Sequence, residues 1–338
     1  MADNSKIEWT DATWNIITGC SVVSPGCTNC FAQRLAGTRL RDHPSRSGLT
    51  KDSKAGPVWT GEVRFNKVWL PQPLGWARPR RIFVCAHGDL FHYAVPDEWI
   101  DAVFSVMERC PQHTFQILTK RPERMHMYVS KRHRDAAPLP NVHLGVSVED
   151  QLRADERLPY LVMTPAAARF ISYEPALGPL DLRRIPMQGM FPNLPEYHRY
   201  DVLRGGTWNG RGFVNHSDMS GHRIHQVIFG GESGPGARPA HPDWARHMRD
   251  ECEAAGVAFF FKQWGEWHPH GQKLADGGGN CLGNPDIPSM WHTFSEEASS
   301  WRVGKMRAGA LLDGKEHKQH PEDGAALQRR RLAAQRTA

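Results

Sequence analysis

Short apolar runs recur along the chain, and each is followed at once by a polar cluster. Residues 81–86 lead into His87-Gly-Asp-Leu-Phe-His92, and 114–118 into Thr119-Lys-Arg-Pro-Glu-Arg124. Residues 141–146 lead into Ser147-Val-Glu-Asp-Gln151, and 168–172 into Tyr173-Glu-Pro175. Residues 225–229 lead into Gly230-Gly-Glu-Ser-Gly-Pro235, and 257–261 into Lys262-Gln-Trp-Gly265. Short β-branched and aromatic runs bounded by glycine and proline predict buried strands. A further first strand is expected near residues 14–18. Between the strands lie helical stretches. Pro96-Asp97 opens one, and Trp99, Ile100, Val103, Phe104 and Met107 form its single stripe. Another spans 242–255 and stops at Gly256. A third follows Cys30, from Phe31 to about Leu40.

Strands alternating with helices predict a parallel sheet. Seven candidates predict an α/β fold, a complete or partial (β/α) TIM-type barrel. Its chemistry is expected at the strand ends. The charged residues there are Asp89, Lys120, Arg121, Glu149, Asp150, Glu174, Glu232 and Lys262. Polar loops without a shared site would give the same pattern. Two regions interrupt it, 184–223 and 268–300, both rich in glycine and polar residues, and loops this long are usually lids or binding loops. The expected organisation is one barrel-like domain over 1–316 with those two insertions, then a basic tail over 317–338.

At 338 residues the length allows two domains or one barrel with extensions. The 40% hydrophobic and 23% charged content excludes a disordered, collagenous or coiled-coil chain. No apolar run approaches the ~20 residues needed to span a bilayer, and the first residues carry no apolar signal core. A cytoplasmic protein without membrane contact is expected. Its seven cysteines then point to thiols or metal ligands rather than disulfides. A formal charge of +6 favours a polyanionic partner such as DNA or RNA, though many basic enzymes have none.

The sharpest chemical signal is Cys20-Ser-Val-Val-Ser-Pro-Gly-Cys27-Thr-Asn-Cys30, a C-x6-C-x2-C loop. Three thiolates this close can converge on one metal centre. A structural zinc would need a fourth ligand from afar, such as Cys85, His43 or Cys281. A [4Fe–4S] cluster held by three cysteines leaves one iron open to a substrate or cofactor. Reduced thiols are the third possibility. A zinc deaminase is excluded: no histidine precedes Cys20, and Gly26 interrupts the Pro–Cys step.

The other clusters are less specific. Gly230, Gly231, Glu232 and Ser233 form a turn that could cradle an anion or bind an amine or ribose. A tight strand-to-helix turn explains the same residues. Lys120 and Arg121 suit phosphate or carboxylate, or a salt bridge to a nearby acid. Lys262 is either a countercharge to Glu174 or Glu232 or a catalytic donor. Asp89 lies between His87 and His92, which is a conceivable metal set, although hydrogen-bonded cleft residues are commoner.

Taken together, Ile7-Glu-Trp-Thr-Asp-Ala-Thr-Trp-Asn15, the three cysteines, Asp89-Leu-Phe-His92, Leu118-Thr-Lys-Arg-Pro122, Leu144-Gly-Val-Ser-Val-Glu149, Ser172-Tyr-Glu-Pro175, Gly230-Gly-Glu-Ser-Gly234 and Phe261-Lys-Gln-Trp-Gly265 resemble a bacterial and phage-encoded family. That family is a domain of unknown function with an N-terminal three-cysteine motif, similar to radical S-adenosylmethionine (SAM) enzymes. The resemblance implies Cys20, Cys27 and Cys30 as cluster ligands, and SAM as a second cofactor held by Gly230, Gly231, Glu232 and Ser233. From the strand-end charges, Lys262, Glu174 and Asp89 are expected as catalytic groups, with Lys120, Arg121 and Glu149 holding substrate or its phosphate. A nucleic acid or nucleotide substrate and an electron-donor protein follow from the same resemblance. Two departures stand out. The common radical-SAM spacing is C-x3-C-x2-C, and its Gly-Gly-Glu follows the second strand rather than a late one. A nucleic-acid-binding protein with a structural metal, or a cluster enzyme without SAM, fits the residues too.

Overall fold

The computed structural model describes residues 5–187, 199–209, 212–215, 221–276 and 290–321. Seven parallel strands form its main sheet: β1 Ala12–Trp14, β2 Arg81–Val84, β3 Thr114–Thr119, β4 Val142–Ser147, β5 Ala168–Tyr173, β6 Gln226–Gly230 and β7 Ala258–Gln263. Their order across the sheet is their order in the chain. Every neighbouring pair is parallel. The strands curl into a half-barrel, a partial β/α barrel.

Alternation along each strand sets the two faces. Ile82, Val84, Phe115, Ile117, Leu144, Val146, Val227, Phe229, Phe259 and Phe261 join the large core. That core also holds the buried stripes of α2 Asp97–Glu108, α3 Pro122–Arg132, α4 Gln151–Met163 and α5 Pro242–Ala255. The intervening residues face inward. Phe170, Ile228 and Phe260 pack with Trp9, against which Phe83 and Leu118 also lie. Trp9 sits 4.7 Å from Phe83 and 6.1 Å from Phe170, ring centroid to centroid. Gly145 leaves room for this floor: a Cβ there would lie 2.5 Å from the Phe170 ring.

The open side is closed by the C-terminal segment. Phe261 N–H donates to His317 O, and Gln319 N–H to Phe259 O, so this stretch runs antiparallel along β7. Glu8 meets Lys305 at 3.5 Å and Lys318 at 3.9 Å, tying the N-terminal strap to the same segment. Residues 317–321 are therefore part of the domain rather than of a tail; residues 322–338 lie outside the described residues.

The expected elements are present with specific differences. The first strand is Ala12–Trp14, and Ile17–Thr18 instead pairs antiparallel with Arg64–Phe65. The backbone leaves the sheet at Asn15, two residues into the apolar run. Helix α1 covers Phe31–Gly37, shorter than expected, and at its end Gly37 packs so closely that a Cβ would lie 2.0 Å from Pro57. α5 ends as predicted, on Gly256 at φ 64°. The described parts of the two interrupting regions are not plain loops. Arg199–Asp201, Gly206–Asn209 and Gly212–Asn215 form one antiparallel sheet; Trp267–Pro269, Trp291–Thr293 and Ser299–Arg302 form another. Gly277 to Cys281, within the second region, lies outside the described residues. No described helix is long and apolar enough to cross a membrane.

Candidate functional site

The carboxyl ends of the strands surround a cavity of about 330 Å³. Cys20, Cys27 and Cys30 line one side of it, with Asp89, Lys120 and Arg121 beside them. Glu174, Gly231, Glu232, Ser233 and Lys262 complete the polar wall. Phe83 and Leu118, the upper side of the Trp9 cluster, form part of its lining.

Three acids from three strand ends hold the cysteine loop, each at a different point. Asp89 accepts from Thr119 Oγ1 at 2.7 Å and pairs with Arg121 at 2.8 Å. Arg121 in turn reaches Cys20 Sγ at 3.6 Å and Ser21 Oγ at 2.8 Å. Glu149 is fully buried between Lys120 and Arg157, both at 3.0 Å, and accepts from Ser24 Oγ at 2.7 Å. A Cβ on Gly26 would lie 2.3 Å from the same carboxylate, so glycine is required for this approach. Glu232 is gripped by Arg238, with Nη2 at 2.6 Å and Nε at 2.8 Å, and accepts from Asn29 Nδ2 at 2.9 Å. Arg238 also donates to Pro25 O at 3.0 Å.

Burial pushes the Glu149 carboxyl up, but Lys120, Arg157 and Ser24 outweigh it and hold it below its ordinary range. Burial is likewise overcome at Glu232, where Arg238 and Asn29 hold the carboxyl down. Both acids are therefore ionised and paired near neutrality.

Several of the expected site residues have protein partners in this geometry. Glu232 already has partners on both oxygens, Arg238 Nη2 on Oε1 and Asn29 with Arg238 on Oε2. The Gly230–Ser233 turn is closely packed on the side away from the cavity lining of Gly231, Glu232 and Ser233. A Cβ on Gly231 would lie 1.9 Å from Trp264 O, and one on Gly230 2.5 Å from Glu174 Oε1. Gly231 N–H donates to Gln263 O, and Ser233 Oγ accepts from Gln263 Nε2 at 2.9 Å. Asp150 caps α4 by accepting from Arg153 N–H at 2.9 Å. His87, Asp89 and His92 do not form a metal set. His87 Nδ1 lies 2.5 Å from Arg46 Nη2, and His92 Nε2 lies 2.9 Å from Ser21 Oγ. Glu174 and Lys262 form a close pair at 2.7 Å on the cavity wall, with Ser172 Oγ 3.2 Å from the other carboxylate oxygen. Lys120, about one-fifth exposed, is a second cation facing the cavity.

By donor type, three thiols around one cavity fit a thiolate-ligated centre. Among the described residues, however, no three His, Cys, Asp or Glu side chains are gathered closely enough to hold an ion. Ligation requires the three thiols to turn toward a common point. Burial pushes the Cys20 thiol up to about 12 and raises Cys30 as well, so metal uptake must displace protons. Cys85 also lines the cavity floor.

Two histidines make a prediction about pH. Burial, reinforced by Arg46, lowers His87 to about 4; burial with Arg169 lowers His225 to about 4. Both pKa values are depressed below the ordinary 6.5. The unfolded chain thus binds more protons between those limits, and stability falls as pH drops from about 6.5 toward 4. Each site contributes on the order of 3 kcal/mol across that window. Urea midpoints measured through it should fall steadily, and His87→Gln should flatten the slope. A flat wild-type profile would contradict the two buried neutral rings.

Fold and site together define an α/β half-barrel with a ligand-sized polar cavity over the carboxyl ends of its strands, where such folds bind. The chain belongs to the family described as Protein of unknown function (DUF5131), whose pattern it matches over residues 4–321. No curated protein matches it. No solved structure matches it either.

Proposed function

We propose that the chain is an iron–sulfur enzyme of the radical-SAM kind. Cys20, Cys27 and Cys30 are its [4Fe–4S] ligands, and a nucleic acid or nucleotide is its substrate. The observation that carries this reading is the placement of all three thiols on one 330 Å³ cavity at the carboxyl ends of a parallel half-barrel. Three thiolates leave a cubane iron without a protein ligand, and the bound cluster supplies one-electron reduction of a cofactor held there.

The chain's own residues divide into two groups. Asp89 with Arg121, Glu149 with Lys120 and Arg157, and Glu232 with Arg238 fix the loop that carries the thiols. Lys262 and Glu174 face the cavity and are the groups placed to meet a ligand. Lys262 Nζ donates to an anionic oxygen, while Glu174 orients the ammonium and accepts a proton. Phe83 and Leu118 exclude water from the floor.

Anaerobic reconstitution with iron and sulfide, followed by EPR of the reduced protein, tests the reading. Roughly four irons per chain and a signal that changes shape on adding SAM are expected. Cys27→Ser should abolish the signal. One tightly held zinc and no iron uptake would overturn the cluster. An EPR signal indifferent to SAM would overturn its use as cofactor.

A further inference from the structure

Beside the cavity, three guanidinium groups converge on the turn of residues 232–236. Arg238 is neutralised by Glu232. Arg34 Nη2 donates to Pro235 O at 3.2 Å, and Arg302 Nη2 to Gly234 O at 3.2 Å. Neither Arg34 nor Arg302 makes an ion pair among the described residues; both spend donors on main-chain carbonyls alone. The nearby carboxylate of Glu266 is turned to Gly234 N–H at 2.9 Å. The turn therefore carries three guanidiniums against two carboxylates. A guanidinium keeps five donors in a planar fork, so each of these retains capacity for an anion.

One helical turn before Arg34, on the same side of α1, stands Phe31. It is 65% exposed at the cavity lip, edge-on to His87 at 5.8 Å. Residues three apart on a helix have Cβ atoms roughly 5–6 Å apart. The neighbouring loop surface is apolar as well, with Val22 54% and Val23 40% exposed. An open aromatic ring one turn from an unpaired cation, above a cavity walled by Trp59, Phe83 and Leu118, matches one kind of ligand. Its units alternate a planar base with a phosphate.

We propose that this rim binds a single-stranded polynucleotide. Arg34 and Arg302 hold a phosphate, Phe31 stacks one base, and the adjoining base enters the cavity. The proposal takes the substrate class of the preceding reading and specifies where it binds. It does not require the cluster to be present.

The test is fluorescence anisotropy of labelled oligothymidylate and oligouridylate with the full chain, cluster-loaded and metal-free. Thymidine monophosphate and heparin serve as competitors. We expect Phe31→Ala to weaken binding about tenfold and Phe31→Trp to restore it. Arg34→Ala and Arg302→Ala should each reduce the salt slope by about one. The DNA and RNA probes distinguish the two sources of strand. Wild-type affinity in all three alanine variants would overturn the site. Equal competition by heparin with no effect of Phe31→Ala would reduce it to bulk charge and also overturn it. Monophosphate binding as tightly as the oligonucleotides would overturn the polynucleotide. Cys27→Ser, expected to lose iron but keep binding, separates failure of this site from failure of the cluster.

Discussion

Glu149→Ala should destabilise the protein by roughly 3–5 kcal/mol, because it leaves the buried Arg157 and the partly exposed Lys120 without their anion. Lys120 and Arg157 both lie 3.0 Å from this carboxylate, which is fully buried. Removing one member of such a cluster costs far more than the cluster contributes over an apolar replacement. The apparent melting temperature should fall on the order of 10 °C. The local effect is equally specific. Ser24 Oγ loses its acceptor, so amides of residues 21–28 should exchange faster than in wild type, while those of β3 exchange at global rates. Because the folded carboxyl titrates below its ordinary value of 4.5, the wild-type contribution is complete above that pH. It is lost as pH falls through the depressed value. The gap between wild type and variant should therefore narrow in acid. A variant within 1 kcal/mol of wild type at pH 7, measured by urea titration, would contradict this ion triad (about a fivefold change in equilibrium at most).

Trp9→Ala should cost a similar amount, roughly 3–5 kcal/mol, for an unrelated reason. Trp9 is 2% exposed and fills the lower half of the curled sheet against Phe83, Phe170, Ile228 and Phe260. These side chains stand on four different strands, so no single backbone shift closes the hole. Phe83 and Leu118 share this cluster and the cavity lining, so the loss is felt at the ligand site. Calorimetry should show the destabilisation. Trp9→Phe should recover part of it by filling volume, and recovery equal to wild type would show that shape at Trp9 is unimportant.

Most strands were legible because each is a short run buried on both faces, with a polar cluster at its exit. Phe259, Phe260 and Phe261 are the clearest case, all under 3% exposed. The first strand was displaced because Trp14–Thr18 is apolar whether it pairs with β2 or with Arg64–Phe65; only the partner distinguishes them. α3 begins inside Thr119-Lys-Arg-Pro-Glu-Arg124, which reads as a polar strand exit, and α4 carries Pro159 in its interior. The short antiparallel strands at 199–215 lack a long apolar pattern.

At the site, the residues themselves were legible and their assignments only partly so. All three cysteines and the acids after β2, β5 and β6 do converge on one cavity, while Glu149, after β4, lies buried behind its wall. That Glu149 and Glu232 hold the cysteine loop was not legible. Ser24 and Glu149 are 125 residues apart, and Asn29 and Glu232 are 203 apart. No local periodicity encodes such pairings. Asn29, inside the C-x2-C step, was the available hint: its side-chain amide is placed to reach across the mouth. Arg46, Arg157 and Arg238 are ordinary arginines in the sequence and gain meaning only from burial and a partner.

The strip at His317–Gln319 bears on how the chain reaches its native state. β7 is the last strand of the sheet, and its outer edge is satisfied only by this later segment. While the strip is undocked, an apolar strand presents a row of unmet hydrogen-bonding groups, the template on which chains join edge to edge. Docking of a few polar residues thus covers the one edge of β7 that would otherwise be open to another strand. The cover for that edge comes from residues whose composition reads as the start of a basic tail.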